Sequence, residues 1–300
     1  MMWRELVLGV MLVGCNQVFD LEPTEASEDT DPDQDGDLVI DLIDNCPVTP
    51  NPSQFDADRD TVGDACDNCP LISNTTQRAV GDLDAIGDAC DPHPADDGDC
   101  LIVVDTFEDP ARFLEHWQVI TLAGSTSSVT AELGRVRIRP SVSDVVALAA
   151  RGLDGNLLRD VHDVHFRGNA TVAANGNLYA VTAADVPSYG FYCGLRFSTP
   201  LPNIEIGAAA MTGGGQTTLE AFPAPVDSDF VIRLFGKIAG ASVPDACRVD
   251  YGVSVGTLNR GYAQRPTGWS GIRVIGTEAE ITGIALIKRV AGSCPPPIVW

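Results

Sequence analysis

The sequence predicts a mainly β protein in two unlike parts: an antiparallel β-sandwich at residues 100–300, preceded by an irregular, cysteine-stapled segment at residues 31–99. The first observation behind this is the distribution of charge. The 300 residues carry a formal net charge of −23, yet residues 20–100 hold 23 acids against only Arg59 and Arg78, whereas residues 101–300 hold 18 acids against 16 bases. The second is texture. From residue 101 onward, short runs rich in β-branched residues alternate with Gly, Asn, Asp, Ser and Pro turns, and only Pro110 to Trp117 reads as helical. The third is nine cysteines, four of them spaced through the acidic part. So acidic a chain repels nucleic acid and anionic membrane surfaces and favours divalent cations as partners. At 44% hydrophobic residues it is not composed like a disordered protein, and its length allows two domains with cores of their own.

Residues 1–14 predict an export signal. Met1-Met2-Trp3-Arg4 forms a short leading region, and the apolar run Leu6 to Val13 is too short to span a bilayer as a helix. The run ends in Leu12-Val13-Gly14-Cys15, which resembles the lipobox of bacterial lipoproteins. That resemblance implies cleavage before Cys15, acylation of its sulfur with chains such as palmitate, and acylation of the new amino group. Several acyl chains satisfy the two-signal requirement for stable anchoring. Asn16 follows the cysteine instead of Asp, which points to the outer membrane or cell surface. Residues 15–30, dense in acids and without apolar periodicity, predict a lipidated, disordered tether.

Residues 31–99 repeat a carboxylate pattern. Asp33, Asp35, Asp37, Asp41 and Asp44 stand at relative positions 1, 3, 5, 9 and 12, and Asp56, Asp58, Asp60, Asp64 and Asp67 occupy the same five positions. Each run continues into Asn-Cys-Pro. A hard cation such as Ca2+ takes roughly six to eight oxygens at about 2.3–2.6 Å. A short loop can aim alternate carboxylates inward, add the carbonyl of the seventh residue, here Val39 or Val62, and close with the last two acids. A third copy keeps Asp82, Asp84, Asp88 and Asp91 but has Val80 at position 1, which predicts a weaker site.

This pattern, with Asn51-Pro-Ser-Gln54 and Asn74-Thr-Thr-Gln77 after each Asn-Cys-Pro, resembles the thrombospondin type 3 repeat over residues 31–91. The resemblance implies a chain with little regular secondary structure, wrapped around calcium ions and stapled by disulfides. It also exposes a departure: the glycine usual at position 6 is Leu38, Thr61 and Ala85 here. A left-handed backbone is costly for such residues, so reduced calcium affinity is expected. Cys46 and Cys66 stand 20 residues apart and Cys69 and Cys90 stand 21 apart, which gives two sequential disulfides. Each closed loop contributes roughly 3 kcal/mol in the chain-entropy model. With almost no apolar residues to bury, the segment reads as a calcium-stiffened stalk.

In residues 100–300 the strand candidates are Leu101–Phe107, Arg135–Arg139, Val145–Leu148, Val164–Arg167, Leu178–Thr182, Gly190–Phe197, Phe230–Phe235, Cys247–Val253, Gly271–Ile275 and Ile281–Ile287. So many short strands in this length argue for one sandwich. Asp105-Thr-Phe107 with Trp117, and Trp269-Ser-Gly-Ile-Arg-Val before an apolar last strand, resemble the concanavalin A or laminin G type of jelly roll. In such jelly rolls the first and last strands run side by side, which implies a Cys100–Cys294 disulfide and leaves Cys193 with Cys247. The odd cysteine is then Cys15.

Three features of the sandwich are candidates for chemistry. His162-Asp163-Val164-His165 has metal-ligand residue types, but on a strand the two histidines point to opposite faces, and a solvated strand start is the expectation. Arg135, Arg137 and Arg139 share one strand face that could hold an anionic sugar or lipid headgroup, but the wet face of an antiparallel sheet is the expectation. Gly213-Gly214-Gly215 lacks the strand-to-helix context of a phosphate loop and reads as a turn. Glu278 and Glu280 are the nearest approach to a glycosidase carboxylate pair, in a segment that reads as the hairpin between the last two strands. No serine or cysteine nucleophile motif occurs. The expectation is a calcium-binding, lipid-anchored surface protein whose non-catalytic sandwich binds carbohydrate or another surface protein. The alternative is a surface-anchored glycan-active enzyme on the jelly-roll fold.

Overall fold

The computed structural model describes residues 32–80, 84–93, 98–141, 144–152, 161, 163–171, 176–184, 190–197, 203–209, 216–221, 229–235, 245–251, 254–260, 268–290, 294–295 and 297–299. Cys15, Asp82, His162 and Gly213–Gly215 lie outside them.

Period-two alternation builds the sheets. In β4 (Arg135–Arg139), Val136 and Ile138 are fully buried while the three arginines face outward. In β6 (Asp163–Thr171), Val164, Phe166 and Ala170 enter the core. Among the described residues one sheet has nine strands. Its main path runs β13 (Ser254–Arg260), β12 (Asp245–Tyr251), β11 (Phe230–Phe235), β6, β15 (Glu278–Arg289), β1 (Asp99–Asp105) and β16 (Ile298–Val299). β4 joins it through β15, and β3 (Ser128–Glu132) pairs with β4. The other sheet has seven strands, in the order β10 (Gln216–Ala221), β9 (Asn203–Ala209), β8 (Gly190–Arg196), β7 (Asn177–Ala184), β14 (Trp269–Ile275), β5 (Val145–Ala150) and β2 (Trp117–Thr121). Pairing is antiparallel throughout except for β16 beside β1.

The inner faces meet in one core that includes Trp117, Leu148, Leu178, Ile204, Ile232 and Leu286. Phe166 meets Phe230 edge to face at 5.7 Å. Cys193 of one sheet and Cys247 of the other are joined by a disulfide inside it. As the jelly-roll resemblance implied, the first strand lies against the last long one, from Asp99↔Arg289 to Asp105↔Ile284. Cys100 is bridged to Cys294 beside that ladder. Pro110–Arg112 and Phe113–His116 form the short helical stretch. Among the described residues no helix is long and apolar enough to cross a membrane.

The acidic segment has no strand or helix among its described residues before Asp99, and Cys46–Cys66 and Cys69–Cys90 staple it. It is not a free stalk. Leu71 and Ile86 are 2% and 3% exposed, and the Cys69–Cys90 bridge with Ile86 packs against Leu101 and Ile287 on the outer face of the nine-stranded sheet. Few apolar residues suffice because they sit on one side. Gly283 is what allows the approach, since a Cβ there would come within 2.3 Å of the Leu71 side chain. Arg167 donates to the Leu71 carbonyl (3.3 Å) and buried Arg233 to the Ala89 carbonyl (3.0 Å), so the sheet also caps the backbone laid across it. Asp163 and His165, expected to be solvated, are buried on this face, and His165 meets Phe235 edge-on at 5.3 Å.

Candidate metal centres

Each repeat ties its own loop with its own carboxylates. In the first, Asp33 accepts from the Gly36 and Leu38 amides, Asp35 from Asp37 and Asp37 from Val39. In the second, Asp56 accepts from Arg59 and Thr61, Asp58 from Asp60 and Asp60 from Val62. These side-chain turns draw the loop into a ring. Ligand atoms of Asp33, Asp35 and Asp37 lie within 4.8 Å of one another, and so do those of Asp56, Asp58 and Asp60. The position-6 residues take the left-handed backbone expected for glycine: φ is +79° at Leu38 and +81° at Thr61.

The later acids have different duties. At position 9, Asp41 accepts from the Gln34 amide and Asp64 from the Ala57 amide, which fastens the loop's end to its start. At position 12, Asp44 accepts from the Cys46 amide and the Gln54 carboxamide, and Asp67 likewise from Cys69 and Gln77. Burial raises Asp58 and Asp35 first, and Asp67 remains close enough to add to the first shift and Asp44, after Asp37, to the second. Consecutive repeats are also linked, because the second oxygen of Asp37 accepts from the Asn51 amide and that of Asp60 from the Asn74 amide.

In the third copy Asp88 accepts from the Val80 amide and is held by the Arg78 guanidinium at 2.9 Å, so it is spent on a salt bridge. Asp84 and Asp91 gather instead with Asp99, their ligand atoms within 4.8 Å. Asp99 is the first residue of β1, and its amide donates to Asp84 where Asn51 and Asn74 do in the earlier copies. The sandwich therefore stands in for the next repeat. The sequence signal was the spacing, 15 residues from Asp84 to Asp99 against 14 from Asp37 to Asn51. His93 Nδ1 lies 2.7 Å from Asp99 Oδ2, both buried. Burial opposes the charge on His93, but Asp99, Asp163 and Asp91 outweigh it and raise its pKa.

The donor set fits a hard cation. In the two repeats the oxygens Asp35 Oδ2, Asp58 Oδ2, Asp64 Oδ2 and Asp67 Oδ2 are shielded from solvent and have no hydrogen-bond partner. Burial, then the charges of Asp67, Asp60 and Asp56, push the Asp58 carboxyl up to about 8. Burial likewise pushes Asp64 and Asp67 up to about 6. Carboxylates so crowded are stabilised in their charged form by a cation between them.

Elsewhere, the arginine face of β4 is paired. Arg135 reaches Glu132 (3.1 Å) and Glu280 (3.4 Å), Arg137 reaches Glu280 (2.8 Å) and Glu132 (3.4 Å), and Arg139 reaches Glu278 (3.3 Å). On the outer face of the seven-stranded sheet, buried Glu205 accepts from Tyr179 Oη (2.7 Å) and Tyr192 Oη (3.3 Å). The Arg273 guanidinium lies over both rings, at 5.1 and 5.0 Å from their centroids.

No curated protein is similar to the chain in sequence at a significant level. Its sandwich is similar in architecture to the carbohydrate-binding module CBM66 from Bacillus subtilis, with 10% identity over 58% of this chain and 93% of that one and a TM-score of 0.37. It is likewise similar to winged bean acidic lectin, with 9% identity over 60% and 98% and a TM-score of 0.38. The CBM2 module of the Lactobacillus casei BL23 phage J-1 evolved Dit gives 9% identity over 65% and 98% and a TM-score of 0.41. Likenesses this distant carry no argument about the chain's fold or ligands. Residues 30–54 and 55–77 match the thrombospondin type 3 repeat family. Residues 30–77 are therefore thrombospondin type 3 repeats, and a mainly antiparallel β-sandwich follows them.

Proposed function

We propose that this is a calcium-binding, lipid-anchored bacterial surface protein whose sandwich is a non-catalytic binding head. The observation that supports the calcium role most is the pair of aspartate triads, 33-35-37 and 56-58-60, with buried carboxylate oxygens that no hydrogen bond satisfies. Calcium supplies the missing positive charge there, with Asp44 and Asp67 close by and the Val39 and Val62 carbonyls as further ligands. Asp84, Asp91 and Asp99 form a third site that joins repeat to head. Terbium or calcium titration of the exported protein, read by luminescence and circular dichroism, is expected to saturate and to be reversed by EDTA. An unchanged spectrum on chelation would sink the calcium role. For the anchor, labelled palmitate is expected in the wild type and absent from Cys15→Ser; a free thiol at Cys15 behind an intact leader refutes it.

The second reading, a glycan-active enzyme, is favoured by Glu205 alone, a buried carboxylate among aromatic rings. Glycoside hydrolysis needs two carboxylates in unlike surroundings. Among the described residues the charged groups acting on that cluster are Glu205 and Arg273, and Glu278 and Glu280 both face arginines. Release of reducing ends from a glycan mixture would support the enzyme; binding without turnover supports the head.

A further inference from the structure

A cleft of about 550 Å³ opens between the second repeat and the outer face of the nine-stranded sheet. That is the size of an ordinary ligand site. One wall is Phe55, Asp56 and Arg59 from the repeat; the other is the Arg135, Arg137 and Arg139 face of β4, with Glu278 and Glu280 beside it and Arg167 and Asn169 from β6. Five of the chain's nineteen basic residues thus line one cleft in a protein of net charge −23.

We infer that this cleft binds an acidic oligosaccharide, with the arginines holding its carboxylate or sulfate groups and Glu278, Glu280 and Asp229 accepting from its hydroxyls. The inference rests on the reading of the sandwich as a binding head and gives that head its ligand class. Guanidinium forks match carboxylate and sulfate geometry. The existing partners of these arginines are exchangeable, because Arg137 and Glu280 are 30% and 40% exposed, and such half-wet ion pairs contribute little. A densely charged ligand such as a phosphate chain would meet four carboxylates in the same space, Asp56, Asp229, Glu278 and Glu280. A hydroxyl-rich chain with sparse negative charge satisfies both kinds of group. The lining is side chains from mid-sheet strands, β4, β15 and β6, so no strand edge is offered there to a peptide. Phe55 adds an apolar surface to the repeat's wall, close to Gly134, where φ is +74° and an added Cβ would lie 3.3 Å from the ring.

The repeat's wall depends on its cation loop. Arg59 has φ +66° and donates its amide to Asp56 Oδ1 at 2.6 Å, so the conformation that presents Arg59 is the one that turns Asp56 toward the triad. Calcium binding and ligand binding should therefore be coupled.

The test is calorimetry on the exported full chain, with an oligogalacturonate, a sulfated galactan oligosaccharide and a neutral galactan oligosaccharide as probes, in calcium and in EDTA. Wild type is expected to bind at least one acidic probe about tenfold tighter than the neutral one, and to weaken in EDTA. The two acidic probes decide between carboxylate and sulfate. Arg137→Gln and Arg59→Gln are expected to weaken binding about tenfold each, and Glu280→Gln, which removes the nearer of the two carboxylates paired with Arg137 while keeping an acceptor oxygen, to strengthen it several-fold. A merely structural role for Glu280 would not strengthen anything. Tyr192→Phe, on the opposite sheet, is expected to leave binding unchanged. Acidic-glycan binding that ignores the cleft variants overturns this site while the binding-head reading stands, as does loss of binding confined to Tyr192→Phe. No binding of either acidic probe overturns the site outright. Turnover of a probe instead refutes the non-catalytic reading and leaves the site to be judged on the variants.

Discussion

Two kinds of residue in the repeats show how tightly the loops fix their backbone. Thr61, β-branched at φ +81°, sits where the chain geometry asks for glycine. Thr61→Gly is expected to stabilise the calcium-free repeat by about 1 kcal/mol and to tighten calcium binding, measured by thermal unfolding and terbium titration. Weaker binding by that variant would mean the threonine side chain contributes something the backbone argument omits. Gly63 is the opposite case. A Cβ there would lie 2.3 Å from Asn45 Oδ1 and 2.7 Å from Cys46 Sγ, and Gly87 meets Asn68 and Cys69 in the same way. Gly63→Ala should cost roughly 1–3 kcal/mol through forced displacement of the asparagine and the bridge, read by denaturant midpoint.

At the scale of the loop and the strand, the second repeat carries a pH signature. Its carboxyls are raised in the calcium-free fold, Asp58 to about 8 and Asp64 and Asp67 to about 6. The folded loop therefore holds more protons than the unfolded chain between about pH 4 and 8, and its stability falls as pH rises through that window. Calcium reverses the sign, because it competes with those protons. The melting temperature in EDTA is expected to rise from pH 8 to pH 5, and calcium affinity to drop over the same range. Contact with the sheet rests on Leu71 as much as on the polar ties of Arg167 and Arg233. Leu71→Ala should cost about 2–4 kcal/mol and speed hydrogen exchange in residues 69–91 before the sandwich strands. Equal acceleration throughout would show that repeat and sheet unfold as one.

For the whole molecule, the bridge Cys100–Cys294 ties the start of the sandwich to its end across 194 residues, while β16 returns to lie parallel with β1. Replacing both cysteines by serine is expected to cost up to roughly 5 kcal/mol in the chain-entropy model, seen as a lower denaturant midpoint. The repeats, closed by their own bridges, should keep calcium binding in that variant. Asp99 makes the join chemical as well as mechanical, since the residue that begins the sandwich supplies both an amide and a carboxylate to the third cluster.

Much of this was legible in the residues themselves. Spacing alone located the carboxylates of both repeats, because a loop ligating a cation needs its oxygens at fixed intervals. Strands such as β4 and β15 were visible because β-branched residues crowd them. β3, β9, β10 and β13 were not, since Ser128–Glu132, Asn203–Ala209, Gln216–Ala221 and Ser254–Arg260 are polar or glycine-bearing and gain their place from neighbouring ladders. The sequence by itself determined the repeat, its cysteine spacing and the sandwich class, all of which depend on local periodicity. Only the tertiary structure decided that the repeats lie on the sheet, that Asp99 completes the third cluster and that five arginines share one cleft. Those are contacts between residues far apart in the chain, and no local pattern encodes which distant surface a few apolar side chains will cover.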